Sequence, residues 1–160
     1  MSLSSPIFDD AHALKCELAA EVLRSSGALR LQVMGWSMLP SIWPGDTLVV
    51  ERADRDQVSS GDIVLFGRDR RLFAHRVVSK TSGSPEQILT RGDAMSAPDA
   101  PVSDDELLGK VSSILRNGKC VGPRPNLSIS ERAVASLVRS SEIATRVVVG
   151  VHSLHPASLG

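Results

Sequence analysis

One serine, one histidine and two aspartates are the residues of this chain whose types and order could perform nucleophilic catalysis. Ser37 lies within residues 35–46, where prolines and glycines are frequent and a Pro-Gly-Asp turn closes the segment. Such residues resist regular structure, so Ser37 is predicted on an exposed bend where its hydroxyl is available as a nucleophile. His75 would then supply the general base, and Asp93 or Asp99 the group that orients it.

The choice of base follows from where the histidines lie along the chain. There are four of them: His12, His75, His152 and His155. Only His75 falls within the β-rich region, because the first belongs to a predicted helix and the last two to the tail. A neutral imidazole suits proton transfer near neutral pH, and its far ring nitrogen needs an acceptor. Asp93 follows a glycine in a turn and Asp99 lies six residues later, and either could be that acceptor.

Each of these residues also has a purely structural interpretation. A histidine in a strand is more often a packed residue with satisfied hydrogen bonds than a base. Gly-Asp pairs recur at residues 45–46, 61–62 and 92–93, and most such aspartates close turns. The functional interpretation therefore depends on the combination and its order along the chain.

Composition limits the classes of function. Lys and Arg together number 18, as do Asp and Glu, so the formal net charge is zero. We therefore expect no nucleic-acid partner, since such proteins usually carry a basic excess. The few aromatic residues, two Trp and three Phe with no Tyr, also disfavour a single-strand binder. The two cysteines, Cys16 and Cys120, lack the spacing of metal ligands, so neither a metal nor another cofactor is predicted.

The same survey predicts a soluble protein of a reducing compartment. No apolar run approaches the roughly 18 residues of a membrane span. Residues 1–6 lack the basic and apolar parts of a signal peptide. Two distant cysteines are typical of a reduced compartment. We therefore expect a cytoplasmic location, with peripheral recruitment to a membrane left open.

The hydrophobic pattern divides the chain into three parts. Residues 1–28 hold a predicted helix at 8–26, with Leu14, Leu18, Val22, Ala19 and Leu23 on its apolar side. Residues 29–121 hold short β-rich runs between Gly-Asp turns, at 29–33, 47–51, 63–66, 72–78, 87–90 and 107–115. Residues 122–160 hold a linker and a helix at 128–146 capped by Ser130, while residues 147–151 are either a last strand or a frayed end. The predicted fold class is mainly β, a coiled and partly closed antiparallel domain with flanking helices.

Five short segments together resemble one known superfamily. They read GWSMLPSIWPGD at 35–46, GDIVLF at 61–66, HRVV at 75–78, TRGD at 90–93 and LGKV at 108–111. In this order they resemble the signal peptidase I and SOS-repressor-type superfamily of serine peptidases (S24/S26). The resemblance covers residues 33–111 and implies a coiled β-domain with the serine on a bend beside a substrate groove.

The resemblance also implies roles for individual residues. His75 stands where bacterial signal peptidases and repressors carry a lysine base, so the chain resembles the archaeal and endoplasmic-reticulum branch, whose base is histidine. Asp99 is the implied partner of His75, with Asp93 as the alternative. Ser37 would attack the scissile carbonyl and its backbone N–H would bind the oxyanion. Met38 would line the groove, and the substrate would be a peptide or protein.

The chain departs from the superfamily beside the nucleophile. Signal peptidases carry Ser-Gly immediately before the catalytic serine, whereas this chain has Gly35 and Trp36 in the oxyanion and groove region. The hydroxyl that can assist the oxyanion is therefore missing. The expected function is a serine endopeptidase acting through an acyl-enzyme. The alternatives are a weak or inactive module that binds an extended peptide, or a protein that processes itself.

Overall fold

The computed structural model describes residues 6–83 and 86–140, and these contain two helices, one 3₁₀ turn and seven strands. In chain order the elements are α1 Pro6–Ser26, β1 Ala28–Gln32, β2 Thr47–Arg52, a 3₁₀ turn Arg55–Gln57, β3 Ile63–Arg68, β4 Arg71–Thr81, β5 Gln87–Arg91, β6 Leu107–Arg116, β7 Lys119–Val121 and α2 Ile129–Ser140. The six strands and the N-terminal helix predicted from the sequence are confirmed, with ends that differ by a few residues.

The strands form one antiparallel sheet. Its order is β1-β2-β6-β3-β4-β5, and β7 pairs with β6. Within the described residues the sheet does not close on itself, and irregularities in register interrupt the pairings of β2 with β6, β3 with β6 and β4 with β5. Such irregularities bend the strands in which they occur and increase their local twist. The mainly β fold class with flanking helices is confirmed, whereas the three-part division of the chain stays a prediction.

Strand β3 lies between two apolar clusters. Ile63 and Leu65 belong to the cluster that includes Leu23 of α1, whereas Val64 and Phe66 belong to the other. Successive side chains of a strand point to opposite faces, so a strand buried on both faces must be continuously apolar. The unbroken apolar run that follows the Gly-Asp turn at 61–62 has this explanation.

Helix α1 buries a narrower stripe than its periodicity predicts. Ala19 and Leu23 are buried, whereas Leu14 and Leu18 remain 55% and 54% exposed. The helix ends where expected: Gly27 has a φ of 74°, and its N–H donates to the Leu23 carbonyl at 3.0 Å. This left-handed conformation is the usual helix stop and favours glycine.

Helix α2 packs on the segment that carries Ser37. Its Val138 lies in a small apolar cluster with Leu39 and Ala94. The predicted cap at Ser130 is wrong, because Ser128 receives the first-turn N–H of Glu131 and donates its own N–H to the Glu131 carboxylate. These two reciprocal hydrogen bonds between Ser128 and Glu131 form a capping box.

A tight turn joins the last two strands. Asn117 and Gly118 have φ values of 49° and 76° and join β6 to β7, as the Asn-Gly pair predicts. The predicted continuation of the C-terminal helix, the segment at 147–151 and the last two histidines lie outside the described residues. Within the described residues, no helix is long and apolar enough to cross a membrane.

Candidate functional site

Three side chains predicted to act together form a continuous hydrogen-bonded row. The Ser37 Oγ lies 3.0 Å from Nε2 of His75. The other ring nitrogen, Nδ1, lies 2.7 Å from Oδ2 of Asp99. Both distances are within hydrogen-bond range. With the proton on Nδ1 donated to the carboxylate, Nε2 presents its lone pair to the serine hydroxyl, which is the arrangement a general base requires.

Strand β4 and the aromatic side chains around it hold His75. The residue pairs with Val64 of β3 and is buried. The rings of Phe66 and Phe73 lie with their centroids 5.9 Å and 5.8 Å from that of the imidazole. Apolar packing on the ring and hydrogen bonds at both of its nitrogens leave the imidazole little rotational freedom.

Asp99 is oriented by a residue that the sequence analysis did not single out. Its Oδ2 accepts the Thr90 hydroxyl at 2.7 Å, and its backbone N–H donates to the Thr90 carbonyl at 2.8 Å. Thr90 is the buried penultimate residue of β5, which ends at Arg91. This threonine stands in the TRGD segment, so the segment's likeness to the superfamily was the signal that could have found it.

A partly buried ion pair between Arg68 and Glu106 holds the loop that carries Asp99. Arg68 donates to the carbonyls of Ala100 and Pro101 at 3.1 and 2.9 Å and pairs with both carboxylate oxygens of Glu106. The hydrogen bond from Arg68 lowers the pKa of Glu106 to about 2. Two fixed carbonyls and a bidentate pair restrain this loop immediately after Asp99.

The backbone of Ser37 is held by the turn at the end of β5. The Ala94 N–H donates to the Ser37 carbonyl at 2.9 Å. A Cβ at Gly92 would lie 2.6 Å from that same carbonyl oxygen and 2.7 Å from Cγ of Met95. Real Cβ contacts are not this short, so only glycine allows the two segments to approach this closely.

Asp93 does not take the role that the sequence left open for it. Its carboxylate forms a bidentate ion pair with Arg76, both contacts being 2.8 Å, and accepts the Ser41 hydroxyl. The side chains of Arg76 and Asp93 are 9% and 5% exposed. Arg76 also donates to the carbonyl of Gly61 at 3.0 Å. Asp93 therefore joins the serine segment to β4 through a buried network, while the carboxylate at His75 is that of Asp99.

The residues beside Ser37 divide between core and surface. Met38, predicted to line the groove, is 4% exposed and packs in the apolar cluster of α1 and β3, so its side chain does not face open solvent. Trp36 is 42% exposed, and a Cβ at Gly35 would meet nothing within 4 Å. Among the described residues, no acceptor is found for the backbone N–H of Ser37.

Asp46 closes the other end of the serine segment. Its carboxylate accepts the Trp43 N–H at 2.8 Å and pairs with Arg116 of β6. Arg116 also donates to the Ser41 carbonyl at 3.0 Å. The serine bend is therefore fixed by a carboxylate on each side. Within residues 6–83 and 86–140, no three His, Cys, Asp or Glu side chains are grouped as a metal would need.

This antiparallel β-domain, with a serine on a fixed bend, and its family match together indicate a peptidase-fold module. The family model Peptidase S24-like matches residues 2–111, which is more than half of the chain. The chain belongs to the Peptidase S24-like family. This family includes serine peptidases and also non-catalytic repressors. No curated protein matches the chain.

Proposed function

We propose that the chain is a serine endopeptidase that cleaves a peptide or protein through an acyl-enzyme. Ser37 is the nucleophile, His75 the general base and Asp99 the residue that orients the imidazole. The proposal is carried by one observation, the row of contacts at 3.0 Å and 2.7 Å from Ser37 Oγ through His75 to Asp99. Adjacent bases of this kind activate serine hydroxyls that are otherwise unreactive at neutral pH.

In the proposed reaction His75 takes the Ser37 proton as the hydroxyl oxygen attacks the scissile carbonyl carbon. The negative charge that develops on the carbonyl oxygen is stabilised by the Ser37 N–H, for which the described residues offer no other acceptor. Protonated His75 then gives its proton to the leaving amine. In the second half of the reaction His75 takes a proton from a water molecule that attacks the acyl carbon, and it returns that proton to the Ser37 oxygen as the ester bond breaks and the carboxylic acid leaves.

The use of histidine relates the site to one branch of the wider superfamily. By the resemblance of its segment, His75 corresponds to the strand position at which the lysine-dependent members carry their base. Lys80, the next lysine along the chain, donates to the carbonyls of Arg55 and Val58. We therefore propose a mechanism like that of the histidine-base signal peptidases.

Labelling with a serine-reactive phosphonate tests the proposal directly. The wild-type protein should be modified at Ser37 at neutral pH, and His75→Ala should lose most of that labelling. Ser112→Ala is a matched control, because Ser112 is an exposed serine on β6 that donates to the Val49 carbonyl. A wild-type chain that remains unlabelled, or label that persists in Ser37→Ala, would rule out Ser37 as an activated nucleophile.

A second candidate function is a module that binds an extended peptide without cutting it. Gly35 and Trp36 favour it, because a side-chain donor to the oxyanion is missing and a half-exposed indole stands beside the nucleophile. Equal peptide binding by wild type and Ser37→Ala, with an uncut peptide recovered from both, would identify this function. Mass spectrometry of the purified chain after long incubation tests self-processing, which requires a product that Ser37→Ala does not form.

A further inference from the structure

A cavity of about 440 Å³ lies between the end of the sheet and helix α2. Ser37, His75 and Asp99 do not line it. Its walls come from the strand pair β4 and β5, the linker before α2, and α2 itself. The volume is within the range of about 300–1,000 Å³ that is typical of small-molecule sites.

Positive charge dominates the cavity wall. Four arginines line it, Arg76, Arg91, Arg132 and Arg139, against the single carboxylate of Asp93. Asp93 is already engaged in its bidentate pair with Arg76. Three guanidinium groups therefore remain without a matching carboxylate on the wall.

The side chains of Arg91, Arg132 and Arg139 have N–H donors that the described residues do not use. Among the described residues, the side chain of Arg91 has no hydrogen-bond or ion-pair partner. Toward residues 6–83 and 86–140, Arg132 and Arg139 each donate only through Nε, at 3.2 Å to the backbone carbonyls of Leu127 and Ala135. Within these residues the terminal amino groups of both side chains are available to a ligand.

The sheet register brings two of these charges together. Arg76 on β4 pairs directly with Arg91 on β5. Like charges in directly opposed positions of an antiparallel pair are destabilising. Glu131, which stands beside Arg132 in the chain, caps α2, pairs with Arg124 and also interacts with the charge of Arg76, but it does not line the cavity. A bound anion would relieve this repulsion.

We propose that this cavity is a binding site for a phosphate monoester. A monoester presents three acceptor oxygens in a tetrahedral arrangement, which suits several guanidinium groups that approach from different elements. Val77, Val78 and Leu127 also line the cavity and provide apolar contact for the organic group that the phosphate carries. The site is separate from the row at Ser37, so it does not depend on the proposed hydrolytic function.

Calorimetric titration at constant ionic strength tests the site, with phenyl phosphate and inorganic phosphate as probes. We expect one saturable site, and we expect Arg91→Gln and Arg139→Gln each to weaken phenyl phosphate binding by about tenfold or more, since hydrogen bonds to charged groups are strong. Arg30→Gln is the matched control, because Arg30 is an exposed arginine on β1 that does not line the cavity. It should change the affinity by less than about twofold.

Vesicles distinguish a soluble ligand from a lipid headgroup. Binding to phosphatidic acid vesicles that phenyl phosphate competes away would identify a lipid source, whereas binding of free phenyl phosphate without vesicle binding would identify a soluble one. Both outcomes support the phosphate monoester site. The proposal is overturned by absent saturation up to about 10 mM of either probe, by equal weakening in Arg30→Gln, or by an oligonucleotide that binds while phenyl phosphate fails to compete.

Discussion

Replacement of Asp99 by asparagine isolates the orienting carboxylate from the rest of the site. Oδ2 of Asp99 accepts from His75 Nδ1 and from the Thr90 hydroxyl, both at 2.7 Å. An amide nitrogen in that place would donate toward Nδ1 and so move the imidazole proton to Nε2. In that tautomer His75 has no lone pair facing Ser37 and cannot accept its proton.

The expected effect on the rate is large and the effect on stability small. Wrong-tautomer substitution of an orienting aspartate costs about 10⁴-fold in kcat in a serine protease, which is roughly 5.5 kcal/mol of transition-state stabilisation. The side chain of Asp99 is 25% exposed. Because an amide of the same shape can keep a bond to the Thr90 hydroxyl, we expect only about 1 kcal/mol of lost stability.

Asp93→Asn is the matched comparison, because it makes the same chemical change six residues away. Here the carboxylate is buried and paired with Arg76, so the substitution leaves an unneutralised guanidinium inside the protein. Breaking a buried pair typically costs about 3–5 kcal/mol of stability. Asp93→Asn should therefore lower the thermal midpoint strongly. The molecules that remain folded should keep the hydrogen bonds that link Ser37, His75 and Asp99.

The two variants are compared by phosphonate labelling rate and by thermal unfolding. We expect Asp99→Asn to label far more slowly with a nearly unchanged midpoint, and Asp93→Asn to show the opposite. If Asp93→Asn abolishes labelling while remaining folded, and Asp99→Asn labels at the wild-type rate, the assignment of the orienting carboxylate is wrong.

Three further predictions concern the surroundings of the row. Gly35→Ser should raise the phosphonate labelling rate roughly tenfold, because a Cβ fits there and the added hydroxyl can donate to the oxyanion. Gly92→Ala should lower the labelling rate and the thermal midpoint together, because its Cβ would collide with the Ser37 carbonyl. Glu106→Gln should cost about 1 kcal/mol of stability at neutral pH, a value reduced for solvent screening, since it loses the pair with Arg68. That difference should vanish as the pH falls from 4.5 through about 2, where the wild-type carboxyl becomes protonated.

A specific result would contradict each of these three predictions. An unchanged labelling rate in a folded Gly35→Ser protein would show that a hydroxyl at this position does not reach the oxyanion. A Gly92→Ala protein with the wild-type midpoint would contradict the close approach to the Ser37 carbonyl. A stability difference in Glu106→Gln that persists unchanged at pH 2 would mean that the ionised carboxylate is not its source.

Local sequence signals predicted the strands and turns well because each is decided by nearby residues. The Gly-Asp turns at 61–62 and 92–93 border apolar runs, and the Asn-Gly pair at 117–118 adopts the left-handed values that its residue types favour. The same signals could not give the buried stripe of α1. Which of its apolar residues are covered depends on how the helix crosses the sheet, so Leu14 and Leu18 remain exposed.

The inward orientation of the Met38 side chain could not be predicted from the sequence, for a similar reason. A residue next to a nucleophile is expected beside the substrate, yet the bend turns this side chain inward to pack with Leu23 and Ile42. The bend's direction is set by contacts from distant parts of the chain. Ala94 and Arg116 hold the carbonyls of Ser37 and Ser41, and neither partner could be inferred from the segment itself.

The two aspartates that the sequence left as alternatives are separated by the pleat of β4. His75 pairs with Val64 of β3 and Arg76 with Ile63, so the two neighbours lie on opposite faces of the sheet. On one face the imidazole meets Asp99, and on the other the guanidinium meets Asp93. Because His75 and Arg76 are adjacent in β4, Asp99 pairs with the imidazole and Asp93 with the buried guanidinium. A one-residue slip of β4 would turn each of these side chains to the other face, and the bulge in this strand lies beyond both of them, between Val77 and Ser79.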